Sequence, residues 1–195
     1  KADLNENLIN RLDLFIFKPD GSRVKQVTFD GTDVQGNSPT TEYKHKELTE
    51  LTRSDIDGND LYLVANLKNW GNINNLNDLK IATINQATTF QHNQTQSAFV
   101  MDANMLKREV TAGKIHLKFQ LKRALAKIRL KVKDASGNTV DPTEYACQLI
   151  HYAADGSILA EGTSTNNALN TEAAASSKVI APDVTQDNKA VFYSY

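Results

Sequence analysis

The chain of 195 residues has one cysteine, Cys147, together with four prolines, two methionines and few aromatic residues. A single cysteine excludes an intrachain disulfide and any zinc site that needs several thiolates. Because Cys147 lies in an apolar stretch, we interpret it as a small core residue. No apolar run approaches the roughly 18–20 residues that a membrane-spanning helix needs. The sequence therefore excludes a disulfide-stabilised scaffold and contains no candidate membrane helix.

A strong excess of charge of one sign is also missing. The 22 Lys and Arg residues nearly balance the 23 Asp and Glu residues, which gives a net charge of -1 and a pI near 6.5. This balance gives no electrostatic reason to propose nucleic acid or an anionic membrane surface as a partner. Hydrophobic residues make up 40% of the chain, so a globular core is expected rather than disorder.

Catalytic and metal-binding patterns are missing as well. The four histidines are dispersed: His45, His92, His116 and His151. The segment "DIDGND" (55–60) departs from the calcium-loop pattern, and a β-turn is the preferred interpretation, with weak surface calcium binding left open. No nucleophile elbow, Walker loop or dinucleotide fingerprint occurs. The sequence therefore predicts a protein that is not an enzyme, with no catalytic residue, no cofactor and no metal site.

Short apolar runs between turn signals dominate the chain. The pattern predicts a hairpin over 12–28, a central strand over 61–67 and a hairpin of 145–153 with 157–163 that turns at Asp155–Gly156. Short helices are expected near 49–55 and 74–84. Many short strands without regular strand–helix alternation indicate an all-β antiparallel β-sandwich with a few short helical turns.

One strand changes phase. In "LKFQLKRALAKIRLKV" (117–132) the apolar residues are odd-numbered up to Leu121 and even-numbered from Ala124 onwards. The change predicts either a β-bulge near Lys122–Arg123 or a strand that passes there from one sheet to another. Arg123 and Lys127 could form a functional basic pair. A structural role is preferred, in which Arg123 bonds carbonyl groups freed by the bulge.

The segment "LKRALAKIRLKV" (121–132) of this strand resembles the Arg-Ala-Lys-Ile strand of the fimbrillin family, the type V pilus subunits of Bacteroides-type Gram-negative bacteria. Three further segments resemble family strands and occur in the family's order. They are "NENLINRLDLFIFKPDGSRV" (5–24), "DLYLVANLKN" (60–69) and "AFVMDANM" (98–105). The resemblance covers about residues 5–133.

The resemblance implies a transthyretin-like β-sandwich that serves as a structural subunit, tip or anchor of a cell-surface fimbria. Its expected partners are other fimbrial subunits, bound through a donated β-strand, and host or bacterial surface ligands are further candidates for adhesion. No nucleic acid partner is expected. The expected location is extracellular, at the outer membrane surface or in the fimbrium. Membrane attachment is expected only through a lipidated N-terminus that lies upstream of Lys1 in a lipoprotein precursor.

Two further expectations concern organisation and binding. Residues 1–140 are predicted to form an N-terminal β-sandwich domain, and 141–195 either begin a second β-rich domain or supply completing strands of the first. Trp70 follows a strong strand in an Asn-rich loop, where it could contact a partner or a glycan, or fold back over the core. A surface glycan-binding β-sandwich is therefore the alternative function, which the low aromatic content weakens.

Overall fold

A computed structural model describes residues 8–31, 44–67, 71–85, 90–91, 99–123, 126–148, 155–159, 179–180, 182 and 187–194. Every strand pair in these residues is antiparallel, and two short helices accompany the strands. The fold is therefore all-β, as the sequence predicts. The more specific transthyretin-like topology stays a prediction.

The elements follow in chain order, with the bounds that the backbone hydrogen bonds give them. They are β1 (Arg11–Phe17), β2 (Arg23–Asp30), α1 (Arg53–Ile56), β3 (Asp60–Ala65), α2 (Leu76–Ile81), β4 (Thr83–Asn85), β5 (Phe90–Gln91), β6 (Met101–Thr111), β7 (Lys114–Phe119), β8 (Lys122–Arg123), β9 (Ala126–Leu130), β10 (Cys147–Gln148), β11 (Asp155–Ser157), β12 (Val179–Ile180) and β13 (Ala190–Ser194).

Six strands form the main sheet, in the order β2-β1-β3-β6-β7, and β8 also pairs with β6. A smaller sheet has the order β5-β13-β9, so the strand near residue 190 lies between two strands from earlier in the chain. Two further pairs, β4 with β11 and β10 with β12, complete the pairing among the described residues.

The hairpin of β1 and β2 forms because its turn residues satisfy their own backbone. Gly21 adopts a φ of 85°, which favours glycine, and its N–H donates to the Lys18 carbonyl at 2.8 Å. The Asp20 carboxylate accepts from the Ser22 N–H at 2.8 Å. The prediction of a hairpin over 12–28 is confirmed.

The centre of the main sheet is covered on both faces. Neighbouring residues of a strand point to opposite faces, so Leu14 and Ile16 pack in a first core cluster while Phe15 and Phe17 pack in a second. Strand β3 is buried from Leu61 to Ala65, which confirms the predicted central strand. The most deeply buried members of the second cluster include Leu79, Ile158 and Leu159.

Helix α2 confirms the predicted helix near 74–84, with shorter bounds. The Asn75 side chain caps it by accepting from the Asp78 N–H at 2.9 Å, while Asp78 in turn accepts from the Asn75 N–H. Leu79 is fully buried in the second cluster, so the helix covers one face of the main sheet. Helix α1 lies where the sequence predicts a turn or two of helix.

The phase change in 117–132 is a passage between sheets. Lys122 and Arg123 still belong to the main sheet, opposite Asp102 and Met101 of β6, whereas β9 pairs along its whole length with β13. Of the two predicted alternatives, the passage from one sheet to another is confirmed, and Lys122 and Arg123 pair with β6 without a bulge. A register break lies instead on the partner strand β6, between Met105 and Lys107. Because the chain changes sheets, its apolar side can change phase without a bulge.

The predicted turn at Asp155–Gly156 is wrong. Both residues lie in strand β11, where Gly156 is opposite Ile84 of β4. The backbone then continues to Ile158, whose N–H donates to the Ala82 carbonyl at 3.1 Å. An Asp-Gly pair is typical of turns, but here pairing with a distant strand determines its conformation. The division of the chain near residue 140 stays a prediction.

A buried carboxylate lies on β1. Asp13 has no exposed surface, and it accepts hydrogen bonds from Arg11 (Nε at 2.7 Å and Nη2 at 3.0 Å), from Gln26 at 3.2 Å and from the Thr28 hydroxyl. Burial alone would raise the pKa of Asp13, but the bonds from Arg11, Thr28 and Gln26 outweigh it and lower the pKa. The ionised form thus links β1 to β2.

We expect Asp13→Asn to destabilise the fold at pH 7 by about 1–3 kcal/mol, because its amide group would direct a donor at the donors of Arg11, Gln26 and Thr28. A lowered folded-state pKa adds stability above the unfolded-state pKa of about 4, and this stability is lost as the pH falls through the folded value. The difference between wild type and variant should therefore shrink below about pH 4. Urea unfolding at several pH values measures this difference in unfolding free energy, and Asp60→Asn, at an exposed position, is the control. A difference that does not change with pH would show that the ionised Asp13 carboxylate does not stabilise the fold.

The buried Leu159 tests whether the C-terminal part belongs to the same folding unit. Leu159→Ala should lower the free energy of unfolding by about 2–5 kcal/mol and shift the whole urea transition, because Leu159 packs in the same cluster as Phe15. Glu144→Ala, at an exposed position, is the control. A separate second transition that alone responds to Leu159→Ala would instead indicate an independent C-terminal domain.

Candidate functional site

The four fimbrillin-like segments become neighbours in the fold. Three of them supply β1, β3 and the beginning of β6, which lie side by side in the main sheet. The fourth segment, 121–132, contains β8 of the main sheet and β9 of the smaller sheet. Three segments that are far apart in sequence therefore lie side by side in one sheet. Trp70, the predicted partner or glycan contact, lies outside the described residues and stays a prediction.

Asn66 joins three of these segments. It follows β3 with a φ of 65°, a left-handed conformation that asparagine tolerates better than most residues. Its side-chain oxygen accepts from the Asn10 N–H at 2.7 Å, and its amide nitrogen donates to the carbonyls of Leu8 at 2.8 Å and Phe99 at 2.7 Å. Its backbone N–H donates to the Arg11 carbonyl at 2.8 Å. One side chain thus fixes the chain before β1, after β3 and before β6.

The backbone is closely packed at Gly31, beside the contacts of Asn66. The N–H of Gly31 donates to the Asn10 carbonyl at 2.7 Å, and a β-carbon at Gly31 would lie 1.7 Å from the Ile9 carbonyl oxygen. Only glycine fits such an approach without a backbone shift. The end of β2 is thereby fastened to the chain that enters β1.

A two-stranded arm extends the main sheet beyond β3. Strand β6 pairs with β3 only through Met101–Asn104 and then continues with β7 alone among the described strands. The arm turns at Ala112 and Gly113, both at positive φ, as in the tight turns that match the twist of hairpin strands. We define the arm as residues 105–119. Its inner face packs on the first core cluster through Met105, Ile115, Leu117 and Phe119.

Strand β9 lies at the end of the smaller sheet. Lys127 and Arg129 are exposed, and Ile128 packs against buried Ala190 and half-buried Cys147 in a small cluster. Leu130 keeps 43% of its surface exposed. The edge of β9 that faces away from β13 has no strand partner among the described residues.

The acidic side chains near the predicted turn 55–60 serve the fold. Asp55 accepts from the Thr52 N–H and hydroxyl, both at 2.8 Å, and these bonds lower its pKa. Asp57 forms ion pairs with Arg53, at 3.0 Å, and with Arg108 of the arm. Within the described residues, no three His, Cys, Asp or Glu side chains come together in a way that could hold a metal ion. None of the described helices has the length and apolar character needed to cross a membrane.

The chain is similar to known fimbrial proteins in sequence and in fold. Residues 1–189 match the protein family described as fimbrillin-A associated anchor proteins Mfa1 and Mfa2. A solved fimbrial assembly protein from Parabacteroides distasonis is similar with a TM-score of 0.51 and 18% identity over 98% of this chain and 70% of that protein, which shows a shared fold. A solved structure described as a cell adhesion protein from the same organism has a TM-score of 0.43 and 13% identity over 88% of this chain and 51% of that protein. The chain matches no curated protein.

We expect Asn66→Ala to cost at least about 2 kcal/mol of unfolding free energy, because it leaves the Asn10 N–H and the Leu8 and Phe99 carbonyls without their amide partner. Asn66→Gly separates the two contributions of this residue, since it keeps the left-handed backbone and removes the side-chain bonds. Chemical denaturation measures both variants. If Asn66→Gly were as stable as wild type, the side-chain hydrogen bonds of Asn66 would not stabilise the fold.

Proposed function

The chain belongs to the family of fimbrillin-A associated anchor proteins, and we propose that it anchors or assembles a cell-surface fimbria through β-strand complementation. The family match over residues 1–189 carries this proposal. Membership in this family implies association with other fimbrial subunits and a location at the cell surface. The family consists of structural and anchor proteins, and the proposed role needs no catalysis.

The finer features of the role are also proposals. We place the assembled chain at the outer membrane surface, held by a lipidated N-terminal segment upstream of Lys1. Adhesion would then be a property of the assembled fimbria. The family's description as anchor proteins favours an anchor over a shaft or tip subunit.

Strand β9 is the proposed site where a partner strand adds. Strand complementation needs unpaired backbone groups at a sheet edge and an apolar groove beside them. No further strand lies beyond β9 among the described residues, and the exposed Leu130 beside the small Ile128–Ala190 cluster supplies apolar surface. Strand β2, at one end of the main sheet, is less suited, because Val27 is buried and Phe29 packs against the first core cluster.

The geometry of the smaller sheet supports the same site. Strand β13 fits between β5 and β9, with five residue pairs from Ala190–Leu130 to Ser194–Ala126. A β-strand therefore pairs in regular antiparallel register with β9 on one edge. Exposed Lys127 and Arg129 would favour an incoming strand that carries acidic residues.

Proline substitutions test the edge. The N–H groups of successive strand residues point to opposite edges, so those of Lys127 and Arg129 share one edge and that of Ile128 lies on the other. Proline has no N–H, so it removes one backbone donor from the edge on which it is placed. A proline whose missing N–H lies on the outer edge should abolish the SDS-resistant complex with fimbrial subunits and change the melting temperature by only a few degrees. The substitution on the β13 edge should lower the melting temperature instead.

The measurement uses fimbriae isolated from cells that express each variant, with complexes detected on gels without boiling. Lys127→Ala and Arg129→Ala keep the backbone N–H and serve as matched controls. If both Lys127→Pro and Ile128→Pro retained the complex, β9 would not be the site where a partner strand adds. A chain that remains monomeric in cells with assembled fimbriae would contradict the function itself.

A further inference from the structure

The charge of the chain is concentrated in one segment. Ten of the 22 Lys and Arg residues lie between residues 107 and 133, where Glu109 is the single acidic residue. The remainder of the chain has 12 basic and 22 acidic residues. The near-zero net charge is therefore the sum of a strongly basic segment and an acidic remainder of the chain.

Three of these cations share the outer face of the arm, and a fourth continues that face. The register places Lys107 opposite Lys118, and Lys114 at the arm's turn lies on the same face. Lys122, opposite Asp102, continues this face into β8. We call these four residues the lysine face. All four are exposed, as are Glu109, Thr111 and His116 between them.

The arrangement has a cost for folding. Two like charges directly opposite each other in an antiparallel pair are destabilising, and Lys107 and Lys118 are such a pair. Lys107 is 2.5 Å from Glu109 and Lys114 is 3.0 Å from Glu47, but exposed ion pairs of this kind contribute little to stability. An external anion could therefore replace these acidic partners at low cost.

One exposed apolar side chain lies beside the lysine face. Leu106, at the register break of β6 and next to Lys107, is 60% exposed. Val110 is 51% exposed as well, but it is opposite Ile115 and so lies on the inner face of the arm. Cationic residues beside exposed apolar ones are typical of segments that lie at a membrane interface.

We propose that the lysine face docks the arm against an anionic lipid surface, with the lysine ammonium groups on headgroup phosphates and Leu106 at the interface. The outer face of the arm does not fit a protein partner, because lysine is depleted from protein interfaces and the face has no Phe, Tyr, Trp or Arg. Its residues, continued into β8, are Lys107, Glu109, Thr111, Lys114, His116, Lys118 and Lys122. A lipid surface needs no pocket, since it presents many charges in one plane.

This inference goes beyond the proposed function. Strand exchange at β9 involves another fimbrial subunit, whereas docking through the lysine face involves only lipid. A vesicle assay contains no fimbrial partner, so its outcome is independent of the test on β9.

Binding of the full chain to vesicles tests the proposal. The vesicles contain phosphatidylcholine with about 30% phosphatidylglycerol, and binding is measured by co-sedimentation at low salt. Wild type should bind, and Lys107→Gln/Lys118→Gln/Lys122→Gln should bind roughly a hundredfold more weakly, from the usual contribution of each lysine near an anionic surface. Leu106→Ser should weaken binding without changing its salt dependence.

The matched control removes the same charge elsewhere. Lys18→Gln/Lys46→Gln/Lys80→Gln should bind within about threefold of wild type, because these lysines lie outside the basic segment. An equal loss in both triple variants would show an effect of net charge alone and overturn the proposal. Absence of wild-type binding to the anionic vesicles, or equal binding to pure phosphatidylcholine, would overturn it as well.

Discussion

The main sheet depends on the hydrogen bonds of Asn66. Its side chain satisfies a backbone donor before β1 and two carbonyls, one before β1 and one before β6, while its own backbone bonds to Arg11 at the start of β1. Arg11 in turn binds the buried Asp13, which holds β2 through Gln26 and Thr28. A residue that is neither charged nor apolar thus fixes the ends of three strands of the sheet, because buried backbone groups must be paired.

The burial of the two faces of the main sheet changes from its central strands to the arm. Strands β1 and β3 are buried on both faces, so their residues belong alternately to two core clusters. In the arm only the face with Ile115 and Leu117 contacts a core, and the other face is exposed and lysine-rich. The same alternation of side chains therefore supports the core at one end of the sheet and leaves a charged surface at the other. The proposed contact with lipid lies at this less covered end, whereas the proposed partner-strand site, β9, lies in the smaller sheet.

Sequence patterns predict the elements that local chemistry determines. The β1–β2 hairpin, the central strand β3 and the capped helix α2 were predictable from turn residues, apolar runs and spacing. The full length of β6 was not, because Asn104 and Lys107 interrupt its apolar pattern and Ala112–Gly113 is a weak turn signal. Asp155–Gly156 was misjudged because its partner β4 lies some 70 residues earlier in the chain. The four fimbrillin-like segments indicated the family, which the match over residues 1–189 shows, but not which edge meets a partner.

The passage of one strand from the main sheet to the smaller sheet has a mechanical consequence. A fimbria is loaded in tension when the surfaces it joins are pulled apart, and the proposed partner strand would apply that force to β9. From β9 the covalent backbone leads through 124–125 directly to β8 and then to the arm. Force along this path would act on Lys122–Arg123, which have only two residue pairs with β6, before it reached the longer β6–β7 pairing. The short β8 pairing is thus the first link under load, and it could open while the core around Asn66 stays folded.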